Sequence, residues 1–526
     1  MMQPNIIFCF TDQQKATSLD LYNQTFSAIH ARNLQRLADR GTLFENAYCS
    51  YPLCVTSRIS LMTGRYPNTS GYIGNRPLLP IEADSLQDRL KAVGYRSYLA
   101  GKDHCFAPGY VSARDNNPGV GKRYDKAFMA IHNDQQPPEI QEALPNFLPF
   151  IEQSKTCHRI WGAEIAPWTR EETISHVLAD KAIGFIDEHL QDSPGAPFFL
   201  HWGPPDPHEY YQVPKEYAEL FPPEKITLPP NWKADLADRA EFVKFMKWFF
   251  TAGDPPPGEQ DIRQLMSIYL GMCALVDDEL GRLIDHVEAR GLMDNTIFVF
   301  SSDHGDMCGE MGLAHKWNGL YEGMVRVPLV IAAPGKDMVK GQRVSDPVGL
   351  VDLAATLCEL AGAEAPEHNQ GRSLTDLLQG KGKREYVYLE SGIPGRAMTT
   401  GDIKNFPDHR WDATTWKKCP YDPPHRWTGR CFGVRDKQYK IIFREGQRTE
   451  LYDLKNDPWE LINVIDEPSL QPVVERLKTA QIDHLLRAAS NIRESIGARV
   501  IDENYTPGGD TCWHGPIHPA WEETGK

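Results

Sequence analysis

The chain has 526 residues, 41% of them hydrophobic and 24% charged, with a formal charge of −15 at pH 7. That is the make-up of an ordinary globular protein of roughly two to four average domains. The negative balance excludes a coat for nucleic acid or for an anionic membrane surface, since neither polyanion would be attracted, but it leaves room for a small anionic substrate held by a local group of cations.

The opening MMQPNIIFCFTDQQ has no basic stretch, and its apolar run is too short for a signal peptide. It reads as a first strand, NIIFCFTD (5–12). Eleven cysteines are scattered without a C-x-x-C pair, which points to a reducing compartment rather than a disulfide frame. A cytoplasmic protein is therefore expected, or a periplasmic or secreted one had a leader been removed. The pairing of Cys419 with Cys431 is left open. No apolar run approaches the roughly 20 residues that cross a bilayer.

Next comes YPLCVTSRISLMTGRYP (51–67), where a short helix starts near Cys54 and stops at Gly64, a plausible left-handed cap. By itself Cys54 is no more than a small buried hydrophobe. DSLQDRLKAVG (84–94) has helical spacing and YRSYLAGKD (95–103) reads as a strand, as does PFFLHWGPPD (197–206). Two polar, proline-rich stretches, roughly 105–165 and 209–262, fit no regular core element; in the second, the aromatics of VKFMKWFFTAGDPPPGEQ line a pocket or pack the base of a lid. The helix of 267–291 shows an apolar period near 3.6, through Leu270, Leu275, Leu280, Leu283 and Val287 to Gly291. TIFVFSSDHGD (296–306) and VPLVIAAPG (327–335) are further strands. Strands alternating with helices predict an α/β fold with a large, mostly parallel sheet flanked by helices.

After about residue 384 the texture changes. YVYLESG (386–392), GRCFGVRDKQYKIIFREG (429–446) and TELYDLKNDPWELINV (449–464) read as hairpin strands, followed by a helix over 469–489. The expected division is a catalytic α/β domain over 1–383 and a smaller α+β subdomain with an antiparallel sheet over 384–526, meeting at the Gly- and Lys-rich LLQGKGKREY. The last segment, GGDTCWHGPIHPAWEETGK, covers either the active site or a neighbouring subunit.

Four of these strands end in ligand-like residues: Asp12–Gln13, Lys102–Asp103–His104, Asp206–Pro207–His208 and Asp303–His304. An aspartate after a strand is commonly a turn former, and a lone histidine is commonly structural. Four such ends on one predicted sheet edge are not so easily set aside, because sites of open α/β sheets collect at the carboxyl ends of strands. Asp12, Gln13, Asp303 and His304 offer mainly oxygen donors, suited to a hard divalent cation. A helix starting at Cys54 puts Arg58 on the same face one turn on, and its positive end favours negative charge beside Cys54.

The segment C-V-T-S-R-x4-T-G-R, Cys54 to Arg65, resembles the signature of type I sulfatases of the alkaline phosphatase superfamily. PNIIFCFTDQQ is similar to the family's first metal-binding strand, GKDH to its Lys-x-His element and DPH to its substrate-contacting histidine. SSDHGDMCGEMGLAHKWNGLYEGMVRVPLVI looks like the second metal loop, with the active-site lysine at Lys316, and ELYDLKNDPWELINV like a late hairpin. The resemblance spans roughly residues 4 to 490. It implies an alkaline-phosphatase-like fold and hydrolysis of a sulfate ester to alcohol and sulfate. Cys54 would be oxidised to formylglycine by a formylglycine-generating enzyme. The cation, Ca²⁺ ahead of Mn²⁺ or Mg²⁺, would be held by Asp12, Gln13, position 54, Asp303 and His304. Catalytic work falls to Cys54, Arg58, Lys102, His104, His208 and Lys316, with Lys102, His208 and Lys316 contacting substrate.

Two positions depart from the family pattern: Thr56 stands where the signature usually has proline, and Gln13 where a second aspartate is common. A phosphonate monoester or phosphodiester hydrolase of the same superfamily is the alternative function, and a non-catalytic sulfated-glycan binder a third. The expected substrate is a small-molecule or oligosaccharide sulfate ester, and the long insertions and many Trp and Tyr favour a carbohydrate sulfate over a small aryl sulfate. Neither nucleic acid nor membrane is expected as a partner, and a homo-oligomer is left open.

Overall fold

Asn5–Thr11 (β1) is buried at every residue, as a near-continuous apolar run must be when both faces of its sheet are covered. The computed structural model describes residues 3–23, 25–75, 78–80, 83–106, 124–129, 138–146, 161–251, 257–335, 337–392 and 429–490. The terminal segment 508–526, most of 105–165, and Cys419 lie outside the described residues.

Around β1 stands an eight-stranded sheet. Its other strands are Thr42–Phe44 (β2), Arg96–Gly101 (β3), Lys126–Met129 (β4), Phe198–Gly203 (β5), Thr296–Ser302 (β6), Leu329–Ala332 (β7) and Gln342–Val344 (β8). The spatial order is β8-β2-β7-β6-β1-β5-β3-β4. β6, β1, β5, β3 and β4 are parallel neighbours, so the four strand ends singled out from the sequence lie side by side at one sheet edge. Only β7 opposes its neighbours β6 and β2. The chain between Ser302 and Leu329 carries no long crossover helix, and a strand entered from the edge where its predecessor ended runs back antiparallel.

The main helices are Cys54–Thr63 (α1), Ile174–Asp192 (α2), Glu241–Thr251 (α3) and Glu259–Ala289 (α4), with α2 packed on β3 and β5. α4 begins eight residues earlier than the periodicity predicted and buries Leu265, Tyr269, Met272, Val276, Leu280, Leu283 and Val287. The expectation that 209–262 holds no regular element is overturned. α3 lies there and buries Phe242, Val243, Phe245, Met246, Phe249 and Phe250, a helical spacing that the charged Lys244 and Lys247 interrupt. Its aromatics belong to the core, with Phe242 5.7 Å from Trp317 and Phe250 6.2 Å from His315, ring centre to ring centre. β4, within 105–165, likewise extends the sheet.

Val387–Ser391 (β9), Cys431–Arg435 (β10), Tyr439–Arg444 (β11) and Glu450–Asp453 (β12) form a separate four-stranded antiparallel sheet in chain order. Val434, Ile441 and Leu451 pack on Gln471–Ser490 (α5) through Val474, Leu477 and Ala480. Val387, Leu389, Cys431, Ile442 and Tyr452 join the main core instead. Each large side chain so buried contributes about 1.5–3 kcal/mol. Among the described residues no helix is long and apolar enough to cross a membrane.

Candidate active site

α1 starts at Cys54 after Leu53 in extended conformation and ends at Gly64, whose φ of 66° is left-handed. A side chain is excluded there for a second reason: a Cβ would lie 1.8 Å from Asn369 Oδ1. All ten residues of α1 are buried, so the helix is packed as a plug with its amino end under the carboxyl edge of the sheet.

At that edge ligand atoms of Asp12, Cys54, Asp303 and His304 all lie within 4.8 Å of one another, and all four residues are buried. His304 Nδ1 lies 2.9 Å from the Gly305 carbonyl oxygen and donates to it. Nε2 is thereby left as the bare nitrogen, 3.2 Å from Cys54 Sγ, 3.7 Å from Asp303 Oδ1 and 4.0 Å from Asp12 Oδ1. Burial pushes the His304 pKa down, so the ring is neutral, the form that binds metal. Two carboxylates and a bare imidazole nitrogen facing one point suit a divalent cation of hard or borderline character.

Arg58 braces the carboxylates from below. Its Nε donates to Asp303 Oδ2 and its Nη2 to Asp12 Oδ2, both at 2.9 Å, while Nη1 reaches the Lys102 carbonyl at 3.1 Å. Burial alone would lower the guanidinium pKa; Asp303 and Asp12 outweigh it and keep the group charged. Lys102 Nζ donates to Asp12 Oδ2 as well. Cys54 is pushed up, by burial first and Asp12 second, so its sulfur stays a thiol and is a poor nucleophile as it stands.

Lys316 Nζ sits between Gln13 Oε1 and His208 Nε2, the latter at 2.6 Å. His208 Nδ1 donates to the Glu209 carbonyl at 2.6 Å, which turns Nε2 toward the site, 3.9 Å from Asp12 Oδ1. Burial holds the His208 pKa well below its ordinary value. His104 is likewise held well below, by burial and then by the cations Lys102 and Arg58. The structure thus gathers Asp12, Gln13, Cys54, Arg58, Lys102, His208, Asp303, His304 and Lys316 through these contacts, with His104 within the field of Lys102, Arg58 and Asp12, whereas Asp103 bonds Tyr124 and Asp206 bonds Ser175.

Gln13 has a more elaborate setting than a metal ligand requires. Its Nε2 donates to Asp306 Oδ2 at 2.6 Å and to Tyr211 Oη at 3.1 Å. An aspartate there would turn a carboxylate toward Asp306, which accounts for the amide. Thr56 Oγ1 lies 2.9 Å from both the carbonyl oxygen and the amide nitrogen of Gly74, a pair of bonds that proline could not make.

Sequence reasoning passed over Glu209, Tyr211, Asp306 and His315. Tyr211 Oη meets Asp306 Oδ2 at 2.5 Å and His315 Nδ1 at 3.2 Å. Glu209 lies 3.3 Å from His208, 3.5 Å from His315 and 3.6 Å from Lys316. Burial would raise its pKa, but His208, Lys316 and His315 hold it well below the usual carboxylate range. Only the Asp306 of SSDHGD, three residues past Asp303 in the same strand-end loop, carried any local signal. Burial raises the Asp206 pKa to about 6, against a bond from Ser175.

Among known proteins, the chain is 26% identical over 513 residues to an arylsulfatase of Clostridium perfringens, covering 92% of this chain and 95% of the relative. An N-acetylglucosamine-6-O-sulfatase of Bacteroides thetaiotaomicron is 24% identical over 518 residues, covering 88% and 82%. The solved phosphonate monoester hydrolase of Agrobacterium radiobacter superposes with a TM-score of 0.72 at 24% identity, covering 93% of this chain and 96% of that one, a likeness of fold. Residues 403–487 match the family described as N-sulphoglucosamine sulphohydrolase, C-terminal. Residues 4–363, which carry β1, α1 and all four strand ends gathered around Cys54, match the family described as Sulfatase, and the protein belongs to that sulfatase family.

Proposed function

We propose that the protein hydrolyses carbohydrate sulfate esters to alcohol and inorganic sulfate, with formylglycine at position 54 and a divalent cation, calcium first, held by Asp12, Asp303, His304 and the position-54 side chain, with Gln13 beside them. The convergence of Asp12, Cys54, Asp303 and His304 on one buried point carries this reading. Its carbohydrate part is supported by the sulfated-sugar activity in the name of the Bacteroides relative. When bound, the cation neutralises charge on the sulfate while the oxidised position 54 supplies an oxygen nucleophile, a role that a buried thiol with a raised pKa fills poorly.

The chain's own residues do the rest. Arg58 keeps the two carboxylates apart and oriented. Lys102 and Lys316 have their ammonium groups at the site's edge, in place to hold sulfate oxygens most strongly as charge spreads onto them. His208 presents Nε2 to the same space, 2.6 Å from the Lys316 ammonium that donates to it, and the pair is placed to share a proton with the leaving oxygen. His104, kept neutral by burial and by Lys102 and Arg58, is the base that would take the proton of the remaining hydroxyl at position 54, so that its C=O bond re-forms as the C–O bond to sulfate breaks and sulfate leaves. A formylglycine-generating enzyme is the partner that maturation requires.

The test is the mass of the peptide containing Cys54, from protein made alongside such an enzyme, with paired assays on a sugar sulfate and a phenylphosphonate ester. An aldehyde mass with sulfate release is expected. Turnover by a protein with an intact thiol overturns the formylglycine assignment, and turnover of the phosphonate alone moves the function to the phosphonate hydrolases.

A further inference from the structure

β11 alternates as a strand packed on both faces must. Ile441 and Phe443 belong to the cluster on α5, whereas Ile442 belongs to the main core. Lys440 and Arg444 share the register of Ile442, and a lysine is almost never fully buried unless it is paired. Lys440 is nevertheless 0% exposed, and Arg444 6%.

Both cations reach one short segment, 318–322, that follows Lys316. Lys440 Nζ donates to the Leu320 carbonyl at 2.8 Å and to Glu322 Oε1 at 2.9 Å, and lies 2.6 Å from Glu460 Oε1. Arg444 Nη2 donates to the Asn318 carbonyl at 2.8 Å. Its guanidinium stands 4.8 Å from the ring centre of Phe242, which in turn meets Trp317. Tyr321 Oη donates to Glu450 Oε2 at 2.6 Å, and the Glu322 amide to Glu460 Oε2 at 2.8 Å. At its two ends the stretch is tied to the loop of Asp303 and His304. The Met307 amide donates to the His315 carbonyl at 3.0 Å, and the Gly305 amide to that of Met324 at 2.7 Å. Lys316 thus hangs on a stretch whose ends belong to the candidate metal loop and whose middle is held by the C-terminal sheet.

Buried ion pairs seldom add more stability than apolar residues of the same volume would, so stability alone does not account for these cations. What they fix is the path of a backbone. We propose that Lys440 and Arg444 are positioning residues for Lys316: by holding the carbonyls of Leu320 and Asn318 from the C-terminal sheet, they set where the Lys316 ammonium stands against His208 Nε2. The C-terminal sheet is on this view part of the active site without touching substrate. What Lys316 holds rests on the sulfatase reading; where it stands rests on the contacts alone.

The experiment is a double-mutant cycle on the full-length protein, read by calorimetric titration with inorganic sulfate and by the ring-nitrogen NMR signal of His208 in histidine-labelled protein. Lys316→Ala is expected to weaken sulfate binding by about tenfold. Arg444→Met and Lys440→Met are each expected to weaken it by about threefold or more, and Arg444→Lys, which keeps a donor for the Asn318 carbonyl, to stay near the parent. In the Lys316→Ala background Arg444→Met should cost nothing further. Sulfate binding by Arg444→Met equal to the parent's, or weakened by the same factor with and without Lys316, overturns the proposal. Should sulfate fail to bind the parent, or bind it without regard to Lys316, the sulfatase reading of that lysine fails and the histidine signal decides alone. A His208 shift in Arg444→Met in the direction of the shift in Lys316→Ala supports the positioning, and an unmoved signal overturns it. Lys440→Met leaves Glu322 and Glu460 buried without their lysine; where it does not fold, Arg444→Met carries the test.

Discussion

Thr56 and Gly74 are joined twice, the hydroxyl donating to the glycine's carbonyl oxygen and accepting from its amide, each at 2.9 Å. This replaces the signature proline with a clamp between the first turn of α1 and the loop after residue 70. Thr56→Ala is expected to lower stability by about 1–3 kcal/mol, since Gly74 loses both partners, and Thr56→Ser to retain nearly all of it. Thr56→Pro restores the family residue without the clamp and behaves as alanine does. Urea unfolding midpoints measure all three, and equal midpoints would show the clamp to be inert.

Arg58 neutralises two buried carboxylates at once. Arg58→Ala leaves Asp12 and Asp303 facing each other, and removal of one partner of a buried ion pair typically costs about 3–5 kcal/mol. Arg58→Lys keeps the charge but not the fork and is expected to lie between. Thermal melts without cation and with millimolar calcium test this. The alanine variant should gain more from calcium than the parent does, because the cation supplies charge that Arg58 no longer provides.

Cation binding should be visible as stability. At a hundredfold excess over its dissociation constant, calcium raises the unfolding free energy by about 2.7 kcal/mol, and chelation reverses the gain. His304→Ala removes the bare Nε2 that faces Asp12 and Asp303 and is expected to abolish most of the shift. A melt that ignores calcium, manganese and magnesium alike would sink the metal assignment.

His208 and Lys102 are expected to act on turnover. Each alanine variant should lose about 10²–10³ in rate on a sugar sulfate. For His208→Ala the loss should shrink on p-nitrophenyl sulfate, whose leaving oxygen needs little protonation. Equal losses on both esters would move His208 from proton donor to sulfate binder.

Glu390 sets a pH dependence of stability through its burial. It is 3% exposed, accepts from the Asn68 amide at 2.6 Å, and burial raises its pKa from 4.5 to about 8. Across that window the folded chain holds a proton that the unfolded chain has released. Stability therefore falls as pH rises from about 4.5 and levels off above about 8. Glu390→Gln should match the parent at pH 4 and exceed it at pH 9 in urea melts, and parallel pH profiles would contradict this origin of the slope.

The residues at the head of the site were legible in the chain because each follows a buried apolar run. NIIFCFT, FFLHWG and TIFVFSS announce strands by composition alone, and the polar residue closing each run falls at a carboxyl edge whenever the strands are parallel. α1 was equally plain, bounded by Leu53 and Gly64 with Arg58 one turn from Cys54. The helix of 241–251 was missed although its apolar spacing is helical, because the prolines at 255–257 and the charges around it masked the period.

The sequence by itself determined which residues stand at the strand ends, the position of the candidate nucleophile, and the membership that follows from their order. Only the tertiary structure decided that β7 runs backward, that Thr56 holds Gly74, and that Gln13 faces Asp306 rather than standing as a plain ligand. Burial leaves a periodic mark along the chain because it recurs with every turn or residue pair. A polar contact between segments hundreds of residues apart leaves none, since it depends on where two backbones meet and which way one side chain points.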